Sequence, residues 1–318
     1  MIVKEARILI LLLLIARPLC AADVISDTMR GKELLFQRDY PAAFEVFKKI
    51  ELDYPDSPAG FFGQMAAWQI MMYENLDFRF RAEYEEVEQK FEKTVSIMLQ
   101  NDPTPWNLFV AGSAYGMRGF YYMRDNKWFR ALGSAIRGIQ LMKRAVWMDP
   151  SLIDAKLGTG MYNYWRSVMT KSINFLPFFG DRRQEGIAEV REVIEKGTYS
   201  KDLAEANLAF IYGQENNYKM ARVIADKFLA LYPNNIIFRL FSARLYSWTK
   251  DYDKSIEEFK KVMKIDPAMT KCLYYIGVVM TKKPGGILEA ENYFNDFLAT
   301  GPEKDWADAA KKQIKKWE

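Results

Sequence analysis

Residues 205–233 read EANLAFIYGQENNYKMARVIADKFLALYP and residues 239–267 read RLFSARLYSWTKDYDKSIEEFKKVMKIDP. Each is a pair of amphipathic segments closed by a proline, and Pro233 and Pro267 stand 34 residues apart. Ala209, Tyr212 and Tyr218 of the first recur at that offset as Ala243, Tyr246 and Tyr252 of the second. Proline has no N–H to continue a helix, so each stretch predicts two antiparallel helices ending at the proline. The small residue lets the two helices approach, and the large ones fill the holes between neighbouring pairs.

The period and the placement of Leu208, Ala209, Tyr212, Tyr218, Ala221 and Pro233 resemble the tetratricopeptide repeat (TPR). The pattern reaches upstream to Gly31, Tyr40, Ala43, Phe47 and Pro55, and downstream to Gly277, Ala290, Phe294 and Pro302 with one residue inserted at KKPGG. Between Pro55 and Pro150 the prolines are spaced by 48 and 47 residues through Pro103, so the helices there are longer. One of these, WNLFVAGSAYGMRGFYYM, carries Gly112, Gly116 and Gly119 on one side, which predicts close packing against a neighbouring helix. Residues 305–317 read as a capping helix. The resemblance implies an all-α, right-handed TPR-type solenoid of about seven helix pairs plus that cap. Three parts follow: a leader at 1–22, degenerate or long helix pairs at 23–200, and regular repeats with the cap at 201–318.

A second resemblance rests on residues 158–197: GTGMYNYWRS, an apolar LPFF, then GDRRQEGIAEVREVIEKG. This block is similar to the characteristic segment of the inclusion-body clearance and mitochondrial outer membrane proteins, a TPR-like family. That resemblance implies no catalytic residues. Asp181, with Gln184 three residues on, predicts an N-cap and capping box that starts the helix after the loop. The loop 174–180 concentrates Phe175, Leu176, Phe178 and Phe179 around Pro177. It is expected either to fold back on its own helix pair or to serve as a binding element for a partner or a membrane surface.

Chemistry is scarce. The 318 residues contain no histidine, which removes Ser-His-Asp and Cys-His catalysis and every imidazole metal motif. GTG at Gly158 and KKPGG at Gly286 match no phosphate-binding loop. Glu85, Glu86 and Glu88 read as a solvated helical face. No Glu-Ser dipeptide occurs, against the lytic transglycosylases that combine export with helical superhelices. No enzyme activity, cofactor or metal is expected. A net charge of +4 with no long run of Lys and Arg argues against nucleic acid. Cys272, among apolar neighbours, reads as a buried thiol.

What remains is a surface. The first helix of each pair lines the groove of a TPR array, and in the last three pairs the register places Asn207, Phe210, Gln214, Phe241, Arg244, Trp248, Tyr275 and Lys282 there. Aromatic anchors with a few amide and cationic groups suit an extended or helical peptide. The bland reading of Phe241 and Trp248 is core between repeats. The expected role is an exported scaffold for a protein or peptide partner, with a lipid- or membrane-surface module acting through the loop 174–180 as the alternative.

The chain opens MIVKEARILILLLLIARPLCAADV, with a basic start, an apolar run from Ile8 to Ala16 and small residues at Ala21 and Ala22. This reads as a secretory leader cut after Ala22, because the run is about half the roughly 20 residues that span a bilayer. Its removal takes Lys4, Arg7 and Arg17 against Glu5 and lowers the net charge from +4 to +2. Cys20 offers a lipoprotein reading, although Arg17, Pro18 and Leu19 depart from a lipobox. The expected location is the periplasm. Intact-mass analysis of the native protein is expected to show a species beginning at Asp23. A diacyl mass on Cys20 would favour the lipoprotein, and retained Met1 would overturn both.

Overall fold

A computed structural model describes residues 23–101, 103–171 and 180–316. Among them it is all-α: α1 (23–37), α2 (Tyr40–Asp53), α3 (Ala59–Glu74), α4 (Arg81–Gln100), α5 (Pro105–Arg124), α6 (Trp128–Met148), α7 (Lys156–Met169), α8 (Arg183–Lys196), α9 (Lys201–Gln214), α10 (Tyr218–Leu231), α11 (Ile236–Trp248), α12 (Tyr252–Ile265), α13 (Lys271–Met280), α14 (Ile287–Ala299) and α15 (Lys304–Ile314). These form seven consecutive pairs followed by a single helix, as the sequence predicts. By contact the chain divides into two units, one holding the described residues to Met72 with Phe78–Ala204, the other Tyr73–Asp77 with the residues from Glu205 on.

Four of the pairs are closed by the same short turn. Arg38, Asn126, Asn216 and Lys250 hold φ of 66°, 57°, 60° and 64°, the left-handed region in which single residues end helices. The residue after each donates its N–H five residues back, to Leu34, Tyr122, Tyr212 and Tyr246, at 2.8–2.9 Å. That next residue is also the N-cap of the second helix, which opens on Tyr40, Trp128, Tyr218 or Tyr252. In two cases the cap side chain closes the helix: Asp39 Oδ1 accepts from Ala42 N, and Asn217 Oδ1 from Met220 N. One residue therefore terminates the first helix and its neighbour starts the second. In the seventh pair Gly285, at φ 76°, takes the left-handed place in the predicted insertion.

This turn sets where the helices touch. Seven residues before and five after each left-handed residue stand Gly31 and Ala43, Gly119 and Ala131, Ala209 and Ala221, or Ala243 and Ser255. Ser255 Oγ donates to the carbonyl of Ala243 at 2.8 Å across the fourth of these contacts. Both members of the Ala209 and Ala221 pair are fully buried. A further close approach appears in the long α5–α6 pair, and α7–α8, with helices of 14 residues, makes one of its own. A Cβ on Gly138 would lie 2.8 Å from the carbonyl oxygen of Gly112, and one on Gly186 would lie 2.5 Å from that of Gly160. Backbone meets backbone at both places, on α5 with α6 and on α7 with α8. The expected packing thus holds at Gly112 and Gly119, but a Cβ on Gly116 would meet nothing within 4 Å.

The first unit fills its interior with Tyr84, Phe91, Leu108, Tyr115 and Tyr121, the Tyr84 and Tyr121 rings stacked at 4.1 Å. The second does so with Ile236, Phe259, Ile276, Phe294 and Phe297. Fully burying such side chains contributes about 1.5–3 kcal/mol each. A 3-10 turn, Ile153–Ala155, supplies Asp154, 2% exposed, whose carboxylate accepts from the backbone N–H of Thr198, Tyr199 and Ser200 at 3.0, 2.8 and 2.6 Å. It fixes the turn that leads from α8 into α9. The predicted start of α8 shifts by one residue. Arg182 is the N-cap and makes no side-chain cap bond, since a guanidinium has no acceptor, and Asp181 is turned to Arg183, accepting from its N–H at 3.0 Å and pairing with its guanidinium.

Ala243→Leu is expected to overpack the α11–α12 contact and cost about 1–3 kcal/mol in denaturant unfolding. Gly116→Ala, with open space and a helical backbone, is expected instead to gain about 0.5–1 kcal/mol. Equal midpoints for the two variants would contradict this assignment of contacts.

Candidate partner-binding surfaces

On the second unit, three first helices meet through aromatic rings. Phe210 of α9 packs on Phe241 of α11 at 4.6 Å and on Phe238 at 5.3 Å. Phe241 is buried at 7% exposure, so it is the floor between two repeats rather than a group offered to solvent. Gly213 makes room for it: a Cβ there would stand 3.0 Å from the Phe241 ring and 3.8 Å from that of Trp248. Trp248, one turn past Arg244, is 46% exposed and leans on Tyr218 at 5.4 Å. Arg244 is exposed and lies over the ring of Tyr275 on α13 at 5.7 Å, while Tyr275 stacks on Phe259 at 5.6 Å.

The expected groove set is thus split. Phe210 and Phe241 pack together, Trp248 stands with Phe241 beside Gly213, and Arg244 with Tyr275 makes a separate contact between α11 and α13. Asn207 is half-buried on α9, and Gln214 and Lys282 are exposed at the ends of α9 and α13. Phe175, Leu176, Phe178 and Phe179 lie outside the described residues.

The first unit holds a cavity of about 390 Å³ that the sequence reading missed, between α6, α7 and α8. Met142, Tyr162 and Asn163 line it together with Lys143, Arg182 and Glu189, so both signs of charge are present. Burial pushes the Glu189 carboxyl above its usual range, against hydrogen bonds from Thr159 and Asn163 that pull it back. No single stretch of sequence signals this cavity, because each of its three helices contributes only one polar edge.

Two further predicted features change or sharpen. Glu86 is solvated and pairs with Lys90 at 2.9 Å, but Glu88 does not belong to that solvated face. Its side chain is 12% exposed and accepts from Arg118 at 3.1 Å and from the Tyr122 hydroxyl. Arg118 also pairs with Glu92 and donates to Ser134 Oγ at 3.0 Å, and Tyr115 donates to Glu92 at 2.7 Å. Arg137 completes the cluster with Glu92 at 3.4 Å. Two cations, two carboxylates and two phenols join α4, α5 and α6, and both carboxylates are committed to cations. Cys272 is 1% exposed, and burial pushes its thiol up to about 12, which keeps it protonated and unreactive at neutral pH. Among the described residues no helix is long and apolar enough to cross a membrane.

Residues 239–269 match the family model of the tetratricopeptide repeat. No curated protein matches the chain. Solved structures similar to it include YrrB, described as a TPR protein with an unusual peptide-binding site, at 17% identity and a TM-score of 0.43 over 63% of this chain and 91% of that one. The human IFIT1 dimer with PPP-AAAA is 15% identical at a TM-score of 0.43, over 83% of this chain and 69% of its own. The C-terminal part of a TPR repeat-containing protein from Cytophaga hutchinsonii is 21% identical at 0.33, over 90% and 93%. The fold rests on the helix pairs and the matched repeat, to which likenesses at these scores add nothing.

Arg118→Ala would leave the mostly buried Glu88 without its cation and Glu92 with Arg137 alone, and is expected to cost about 3 kcal/mol in denaturant unfolding. Glu86→Gln, on the same helix, is expected to leave the midpoint unchanged. Equal effects would return Glu88 to the solvated face.

Proposed function

We propose that this chain, which carries a tetratricopeptide repeat at 239–269 within an array of helix pairs, is a non-catalytic scaffold that holds a polypeptide partner against the first helices of its second unit. The observation that carries this reading is the exposed pair Arg244 and Trp248, one turn apart on α11, each resting on a neighbouring ring. Trp and Arg are the side chains that most often anchor a bound partner, and both are already supported here by neighbouring rings, so little freedom is lost on binding. An extended or helical segment with an apolar side chain for Trp248 and an acceptor for Arg244 fits that chemistry. The leader-like residues 1–22 support a role in the cell envelope, in the periplasm after cleavage or on a membrane through a lipidated Cys20.

A displayed peptide library panned on the purified chain supplies the probe. Trp248→Ala combined with Arg244→Ala is expected to weaken the selected peptides at least about tenfold, with the helical circular-dichroism spectrum retained at the assay temperature. Equal affinity for the double variant would remove this surface from the proposal.

A further inference from the structure

The helix α6 leaves large apolar side chains in water along one face, interrupted between Ile136 and Trp147 by the exposed Gln140, Lys143 and Arg144. Phe129 is 93% exposed and Trp147 is 83% exposed, with Leu132 at 52% and Ile136 at 42% between them. At about 100° per residue, Phe129 and Trp147 are five full turns apart and point the same way, roughly 27 Å from each other along the axis. Ile136 falls on that line, and Leu132 lies to one side of it. The helix carries Arg130, Arg137, Lys143 and Arg144 and no acidic residue from Trp128 to Met148. Arg137 is drawn to Glu92 and Arg130 lies over the Tyr122 ring at 5.8 Å, while Lys143 and Arg144 stand exposed about one turn before Trp147.

We infer that this face of α6 is a docking surface for an anionic lipid bilayer, distinct from the peptide surface on the second unit. A helix with aromatic and aliphatic side chains on one face and cations at its edge lies in the interface plane of a membrane, with the apolar groups among the acyl chains and the cations at the headgroups. Phe129 and Trp147 mark the two ends of such a footprint, and an indole is at home at the headgroup level. A second copy is disfavoured by charge: a two-fold contact pairs a face with itself, so both sides carry the same excess of cations with no carboxylate of α6 to answer it.

Co-sedimentation tests the inference, using vesicles of phosphatidylglycerol with phosphatidylcholine in equal parts against vesicles of phosphatidylcholine alone. All preparations carry the same N-terminus. The chain is expected to bind the anionic vesicles, to bind the neutral ones far less, and to be released as salt is raised. Lys143→Gln with Arg144→Gln is expected to weaken binding roughly fivefold for each cation removed. Phe129→Ser with Trp147→Ser is expected to abolish retention while the thermal midpoint stays in place, since both side chains are exposed. No binding of the unaltered chain to anionic vesicles, or equal binding by both double variants, overturns the inference. So does a change from dimer to monomer in the apolar variant without any vesicle binding, which would make the face a contact between copies.

Discussion

A helix that ends on one left-handed residue and restarts at the next has almost no freedom in the direction it takes. The bond from the cap residue back to the carbonyl five residues earlier is made in four turns, and it ties the end of one helix to the beginning of another. The partner helix must then run back along the first, and its contact face is fixed by counting residues from the turn. Small residues seven before and five after sit where that count brings the two backbones together. Replacing the turn by a longer loop would free the second helix to slide and rotate, and those small residues would lose their meaning.

One of the three pairs without the short turn shows what replaces it. Between α7 and α8 the connection is long, yet Gly160 and Gly186 meet backbone to backbone, as Gly112 and Gly138 do in the α5–α6 pair. Glycine inside a helix costs roughly 1 kcal/mol against alanine. The cost is offset where removing the Cβ lets two backbones touch along a whole helix of packed side chains, each gaining far more by burial. Gly116 has no such contact, and its cost is not recovered at its own position.

The fold was legible because its rules are local and repeat. A proline every 34 residues, an aromatic at the start of the second helix and an alanine at a fixed offset are all visible in residues 205–267. The left-handed residues were less so: Asn126 and Asn216 suit that conformation, but Arg38 and Lys250 give no hint of it. Sites were legible only in part. Helical periodicity finds the face of Phe210, Phe241 and Trp248 but does not say which ring is floor and which is exposed, since that depends on Gly213 one helix away. Glu88 was misread for the same reason. Its fate is decided by Arg118 and Tyr122 on α5, and nothing within α4 distinguishes it from Glu86.

Exposed aromatic residues occur on both units, and their surroundings separate two uses. Trp248 rests on Tyr218, faces Gly213 and stands beside a guanidinium already placed over Tyr275. A ring held in that way presents one shape, and a partner that fits it loses little freedom on binding, which favours selectivity among peptides. Phe129 and Trp147 are almost wholly solvated. An unsupported ring is a poor reader of sequence, because every partner must first order it. A bilayer asks for no such order: the acyl region accepts the ring in many orientations, and the gain comes from apolar area alone. The same residue types thus serve specificity where the repeat architecture braces them and adhesion where it leaves them bare.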